Sequence, residues 1–445
     1  MNKKHNSERG QALVLIVLGF VVLLGFTALA VDGSMLYSDR RYAQNAADAS
    51  SLAGGGHAAV SIDTAGITYS SWNCASSQVS NAMLSAANIA VQRAADNGFT
   101  IDLDAGDDGV SDDGSVYVQC GVDTSGTFDE KYIDVTVDLI IDTQTSFAHF
   151  VYQGPTRNSV EAVTRVYPRT ALAFGNAIVA LNEFACSGNQ NGLQFRGNLT
   201  LDTEGGGFWS NGCLDVDGGT TPRIFSGDAS YFYGGNNLDN IEFYDIDGNP
   251  TGQTPTGLTP GVDDRMGTDA WDVPVPDCTG HTVTASWLEG QSGLTGLYCV
   301  TGDVRINSAA ESISGTDVTI VMLGGELHIN GGTSSISAPL PNTGYTGDAI
   351  PGIAIYMPVD YYGPMPGGCG TPTNELQLNG NALDTFVGTI LAPCSDISIE
   401  GGGAAQAFYS QIIGWNVNSG GTADVNVIFD DAEQYTRPAS LDLYR

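Results

Sequence analysis

The residues able to do chemistry in this chain are mostly carboxylates, and they gather in few places. Asp102 to Gly114 reads DLDAGDDGVSDDG, the densest acidic stretch. Asp104, Asp108 and Asp112 fall where positions one, five and nine of a calcium loop would lie, with Gly109 at six. The template breaks at position three, Gly106, and at position twelve, where Ser115 replaces the bidentate Glu, so the stretch reads as a solvated acidic loop. Asp245, Asp247 and Asn249 also offer oxygens, but Asp247-Gly248 is a hairpin-turn signal that accounts for them. No metal site and no cofactor is expected.

Glycan cleavage is the other chemistry that acidic side chains could run, and it needs convergent carboxylates tuned by basic neighbours. Beyond Arg169 there is no Lys, the Arg residues are scattered, and His281 and His328 stand apart. The adjacent pairs Asp263-Asp264 and Asp430-Asp431 lie in a loop-like stretch and near the end of the chain. GxSxG, HExxH, P-loop and GxGxxG motifs are absent. No catalytic residue is expected, and the chain reads as a non-enzyme. Phe208, Trp209, Tyr231, Phe232, Tyr233, Tyr361 and Tyr362 lie beside Gly-rich turns, where rings could stack on sugars or a partner protein, or equally cap the core of the body beneath its inserts.

Eight cysteines, Cys74, Cys120, Cys186, Cys213, Cys278, Cys299, Cys369 and Cys394, form no CxxC pair. An even, dispersed set favours disulfides over zinc and an oxidising compartment. Sequential pairing is the simplest arrangement, each loop being worth ~3 to 4 kcal/mol; other connectivities remain open. The charge balance sets a further limit. Fifty acidic residues face sixteen basic ones, a net charge of −34, so nucleic acid is repelled as a partner. With 58 Gly and 15% charged residues, the body reads as a turn-rich β protein kept soluble by its acidity.

The element that must hold all this in place is Arg9 to Gly56. From Ala12 to Val31 the only polar side chain is Thr27, and the run is long enough to cross a hydrocarbon core of ~30 Å. Ser34 to Ala53 lacks Pro and sets Leu36, Ala43, Ala46, Ala47, Ala49 and Leu52 among polar residues, which predicts a continuing amphipathic helix that stops at Gly54, Gly55 and Gly56. Lys3, Lys4 and Arg9 before the span, and Asp32 after it, place the N-terminus inside and the body outside. Ala28-Leu29-Ala30 offers an alternative, signal-peptide cleavage, and Gly10 offers prepilin-type cleavage, though Leu15 stands where prepilins carry Glu. Retention of the anchor is the reading adopted.

GQA before the span, AVDG after it and the close RRYAQNAADASSLAGG resemble the N-terminal module of TadE/TadG-like proteins of the tight-adherence (Flp) pilus system. The resemblance implies a bacterial single-pass membrane protein with a periplasmic or extracellular body, serving pilus assembly or surface attachment without enzymatic activity. Its partners would be the membrane, other pilus or envelope proteins, and surface glycans.

Residues 1–11 are therefore expected as a cytoplasmic N-terminus, 12–31 as the transmembrane helix and 32–169 as a pilin-like α+β domain. Within the last, Val79 to Asp96 has helical spacing with Asn97-Gly98 as its stop. Ser115 to Val122, Tyr132 to Asp142 and Val160 to Val166 read as strands, and Phe147 to Tyr152 as a short helix.

Residues 170–445 carry a phrase, apolar-x-apolar-polar-Gly, at Leu193–Gly197, Leu214–Gly218, Leu327–Gly331, Leu376–Gly380 and Ile397–Gly401, with partial copies from Val304 and Trp415. Buried-looking strands at Val318 to Leu323, Ile353 to Met357 and Phe386 to Leu391 run between copies. This predicts an all-β right-handed parallel β-helix with inserts at 219–296 and 339–372; a β-sandwich is the competing fold. The last stretch also resembles polymer-forming bactofilin-like β-helices. Alternatives from other function classes are a secreted carbohydrate-active enzyme and a sugar-binding adhesin built on the same solenoid.

Overall fold

The computed structural model describes residues 9–103, 114–125, 129–148, 154–184, 186, 192–258, 273–341, 343–359, 369, 375–379, 384–401, 406–422 and 424–444. One helix, α1, runs unbroken from Arg9–Thr64, a length of about 84 Å at 1.5 Å per residue. A second, α2, spans Ser77–Asp96; the Ser76 hydroxyl accepts from the Val79 N–H at its start, and Asn97 closes it. Both pack on one face of an antiparallel sheet made from β1 (Asp102–Leu103), β2 (Gly114–Asp123), β3 (Glu130–Thr143) and β4 (Thr156–Tyr167), with β1 joining in parallel. Ile133, Val135, Val137 and Leu139 alternate inward as the period-two pattern requires.

Gly54, Gly55 and Gly56 do not end α1, contrary to the expectation from their type. Gly54 and Gly55 sit where α1 touches its neighbours most closely, while Gly56 makes ordinary contact with Leu441. A Cβ on Gly54 would lie 2.8 Å from the Ala86 carbonyl oxygen of α2, and one on Gly55 would lie 2.5 Å from Thr164 Cγ2 of β4. The glycines are contact residues inside a helix. Their neighbours on the buried stripe, Ala43, Ala46, Ala47, Ser50, Ser51, Ala58 and Ala59, are small for the same reason.

The second half is a β-helix-like solenoid in which 23 strands form one hydrogen-bonded network. The recurring phrase forms one of its faces. Val304, Leu327, Leu376, Ile397, Val417, Leu193 and Leu214 are consecutive register partners, as are Ile306, Ile329, Leu378, Ile399, Ser419, Phe195 and Val216 two residues on. Both columns point inward and are buried. The copy near Trp415 is displaced by two residues from the expected one, since Val417 and not Trp415 occupies the inward column. Between the columns, outward residues bond rung to rung: Arg305 Nη1 lies 3.1 Å from His328 Nδ1, and Gln194 donates to Asp215 at 3.1 Å. At two of the phrase's glycines, Gly197 and Gly331, coils meet tightly. A Cβ on Gly197, which has φ +99°, would run into the Gly421 carbonyl.

The order of coils along the axis differs from the order of the chain. The chain enters the solenoid in its middle, at Ile178–Ala180, Leu193–Phe195 and Thr200–Glu204, and winds outward to Thr256–Gly257 at one end. It then resumes at Thr282–Thr284, the opposite end, and winds back through Ile353–Tyr356 and Thr389–Ala392 to Ile412–Gly414. There Ile412, Val417 and Val425 pair in parallel with Ile178, Leu193 and Leu201, closing a seam between first and last coils. At ~4.8 Å per strand the two ends lie roughly 40 Å apart. The crossing segment includes Val273, which is buried and accepts from the Tyr356 hydroxyl at 2.7 Å.

Three expectations are corrected by this path. Most of 219–296 is not an insert, because Thr221–Phe225, Ala229–Gly234, Glu242–Tyr244 and Leu294–Thr301 are coil strands. Within 339–372, Ile353–Tyr356 is likewise a coil strand. The expected turn at Asp247-Gly248 is present: Tyr244 bridges antiparallel to Pro250 and the Asp245 N–H donates to the Asn249 carbonyl, although the arm Glu242–Tyr244 is also a coil strand. Finally, Ser440–Tyr444 leaves the second half altogether and pairs with β4, becoming the edge strand of the first sheet.

Gly55→Val, which keeps the helix but adds bulk against Thr164, should destabilise the folded body by about 1 to 3 kcal/mol. Thermal melting of the detergent-solubilised chain checks this, and an unchanged melting temperature would contradict the close contact.

Candidate functional site

The functional features converge on α1, which has a free apolar end, a clamp where that end stops, a docked seam and a junction at its far end. From Leu13 to Leu29 every large apolar side chain is at least half exposed, the least being Val17 and Leu24 at 53%. The helix is long and apolar enough there to cross a membrane. Asp32, 5% exposed, is the first buried residue, and regular burial along the helix resumes at Ala43.

Asp32 accepts three backbone N–H groups from the loop after β3. Ser146 donates at 2.8 Å and Ala148 at 2.6 Å, while Phe147 reaches both oxygens at 3.2 and 3.1 Å. Desolvation pushes this carboxyl upward, but the three donors outweigh it and hold the group below the ordinary carboxylate range. An acid at the edge of an apolar run thus becomes a ligand for the backbone of another element. The sequence reading used Asp32 only as a charge for orientation; no local signal pairs it with a loop more than a hundred residues away.

Along the seam, Ser51 and Thr164 share a buried hydroxyl contact at 3.0 Å, and Gln44 donates to the Glu161 carbonyl. On the sheet's opposite face Arg165 is gripped in bidentate fashion by Asp134, at 2.9 Å twice, between the rings of Tyr132 and Tyr444 at 3.7 and 4.1 Å. Tyr444 belongs to the returning edge strand, so this cage fastens the end of the chain to β4.

The far end of α1 meets the solenoid through Asp63, which accepts from Arg169 at 2.9 and 2.6 Å, while Arg169 also donates to the Thr436 hydroxyl. Thr170–Ala171 and Thr436–Arg437, the entry and exit of the solenoid, pair with each other. Beside them, Lys131 donates to the Tyr69 carbonyl and lies over its ring at 4.1 Å. Burial, with Asp129 nearby, pushes the Tyr69 hydroxyl up to about 12, and burial draws Lys131 downward.

The other expected candidates separate. Disulfides join Cys74–Cys120, Cys186–Cys213, Cys278–Cys299 and Cys369–Cys394, the sequential arrangement. Phe208, Trp209 and Phe232 are core residues, which removes them as exposed stacking rings; Phe208 packs on Phe195 at 4.8 Å. Tyr231 and Tyr233 pack against the same core, and Tyr361 and Tyr362 lie outside the described residues. Asp245 holds its own turn by accepting from Asp247 and Asn249. His328 does not stand apart, having Arg305 and Glu326 beside it, and His281 lies 3.8 Å from Asp348. Residues 104–113, with the acidic loop, and the Asp263-Asp264 pair lie outside the described residues, as does most of the expected helix at Phe147 to Tyr152.

Residues 10–59 match the family model described as "Putative Flp pilus-assembly TadE/G-like". The matched stretch falls wholly within α1. No curated protein matches the chain, and no solved structure does.

Because the Asp32 carboxyl is held low when folded, its contribution is fully present above the unfolded value of about 3.9 and is lost as pH falls through the lower folded value. Asp32→Asn should therefore melt below the parent protein at pH 7, and the difference should close as the pH drops below about 4. A gap independent of pH would contradict the clamp.

Proposed function

We propose that this is a single-pass, membrane-anchored structural protein of a Tad-type pilus system, whose body lies outside the cytoplasm and serves assembly or attachment. The reading is carried by one observation: a single helix has every large apolar side chain from Leu13 to Leu29 at least half exposed, then runs on without a break into the core of a folded body. A lipid environment makes the first half favourable as it stands. The family match over the same helix supplies the pilus connection. Four disulfides, all beyond the span, fit an oxidising compartment.

In this reading the helix-on-sheet unit is a pilin-like module. The solenoid, as a right-handed parallel β-helix, is what that module displays to other envelope components. The role is mechanical, with α1 transmitting position from the bilayer to the body and Arg169 joining the body to the solenoid.

Membranes from expressing cells test this. The chain should stay in the pellet after alkaline extraction, and protease added to spheroplasts should digest the body. Release by alkali, or cleavage seen only in inverted vesicles, would contradict the anchor or its orientation respectively.

A further inference from the structure

We propose that residues 144–148, which directly follow β3, are a second membrane contact, in which Asp32 pins this segment to the outer end of the span so that Phe147 enters the headgroup and acyl boundary. The proposal rests on reading 12–31 as a transmembrane segment and adds to it a depth and a face.

The geometry is local. Asp32 follows Val31 directly, so its backbone lies one helical rise, about 1.5 Å along the axis, beyond the last residue of the apolar stretch. The polar band on each side of a bilayer is about 5 to 7 Å deep, taking ~30 Å for the hydrocarbon and ~40 to 45 Å in all. A loop bonded directly to Asp32 through three consecutive N–H groups therefore falls inside that band. Ser146 Oγ also lies 3.7 Å from Met35 Sδ, one turn further along α1, which fixes the loop against the helix at two levels.

Within the loop, Phe147 is 46% exposed although its backbone is held at three points by the carboxylate and by its neighbours. A side chain so placed has a defined position and keeps nearly half of its apolar surface exposed. The interfacial band is where rings are favoured, and the apolar run of α1 already brings lipid to this point. The bonds to Asp32 serve the same end. They satisfy a carboxylate that would otherwise meet the hydrocarbon boundary bare. Two contacts, the span and the ring, would stop the body from pivoting freely about α1.

A spin label reads this in the full chain reconstituted into phosphatidylcholine and phosphatidylglycerol vesicles. All eight cysteines are paired, so Phe147→Cys supplies one free thiol; Leu84→Cys, on α2 and 58% exposed, is the reference. The label at 147 should show a several-fold higher ratio of oxygen to water-soluble nickel-chelate collisions than the label at 84. Adding Asp32→Asn should bring the ratio at 147 toward that at 84, with the protein still resistant to alkaline extraction. Equal ratios at the two positions in an extraction-resistant protein would overturn the proposal while leaving the span intact. A ratio unmoved by Asp32→Asn would overturn the pinning. Spin–spin broadening at 147 would assign the ring to a second copy and overturn the lipid contact. Loss of the protein from the pellet would overturn the span and the proposal together.

Discussion

Close approach between α1 and the elements beside it is the constraint on which the rest depends. The same helix must be greasy all round where it meets lipid and thin on one side where it meets protein. The chain solves this by changing residue size along one axis. Leu, Val, Ile and Phe predominate over 13–31, and then Ala, Ser and Gly line the contact from Ala43 to Ala59. Small side chains bring the α1 backbone to within contact of the Ala86 carbonyl and of Thr164. Ala in a helix has little entropy to lose, which offsets part of the cost of the glycines.

The solenoid depends on the same helix through its junction. Because the first coils lie beside the last, entry and exit emerge together and pair as Thr170–Ala171 with Thr436–Arg437. Arg169 ties both to Asp63 at the end of α1. The remaining strand, Ser440–Tyr444, then returns to the first sheet and closes over Arg165. A solenoid wound from end to end would put its entry and exit roughly 40 Å apart at ~4.8 Å per strand. Entry at the middle keeps both attachments at one place.

Features with a local period were legible in the sequence. The alternation of Ile133, Val135, Val137 and Leu139 gave a strand, the spacing from Val79 to Ala94 gave α2, and the recurring phrase gave a solenoid face. Features set by distant partners were not. Gly54 to Gly56 carry the signature of a helix stop, and only the approach of α2 and β4 explains why α1 continues. The permuted coil order leaves no trace in residue types, since Val417 would look the same beside any inward leucine. The aromatics near Gly-rich turns could be read either as stacking rings or as core, and burial decides for the core: Phe208, Trp209 and Phe232 lie within it. The candidate site was legible as an apolar helix with a family resemblance, while Asp32 gained its role from a loop that folding alone brings near.

The account stands or falls on α1 being present whole in the mature protein. N-terminal sequencing of the chain recovered from washed membranes tests this most directly. A first residue at Met1 or Gln11 leaves the apolar half joined to the seam, as the account predicts. A first residue at Val31, with the protein found in the medium and none in the membrane, would contradict it.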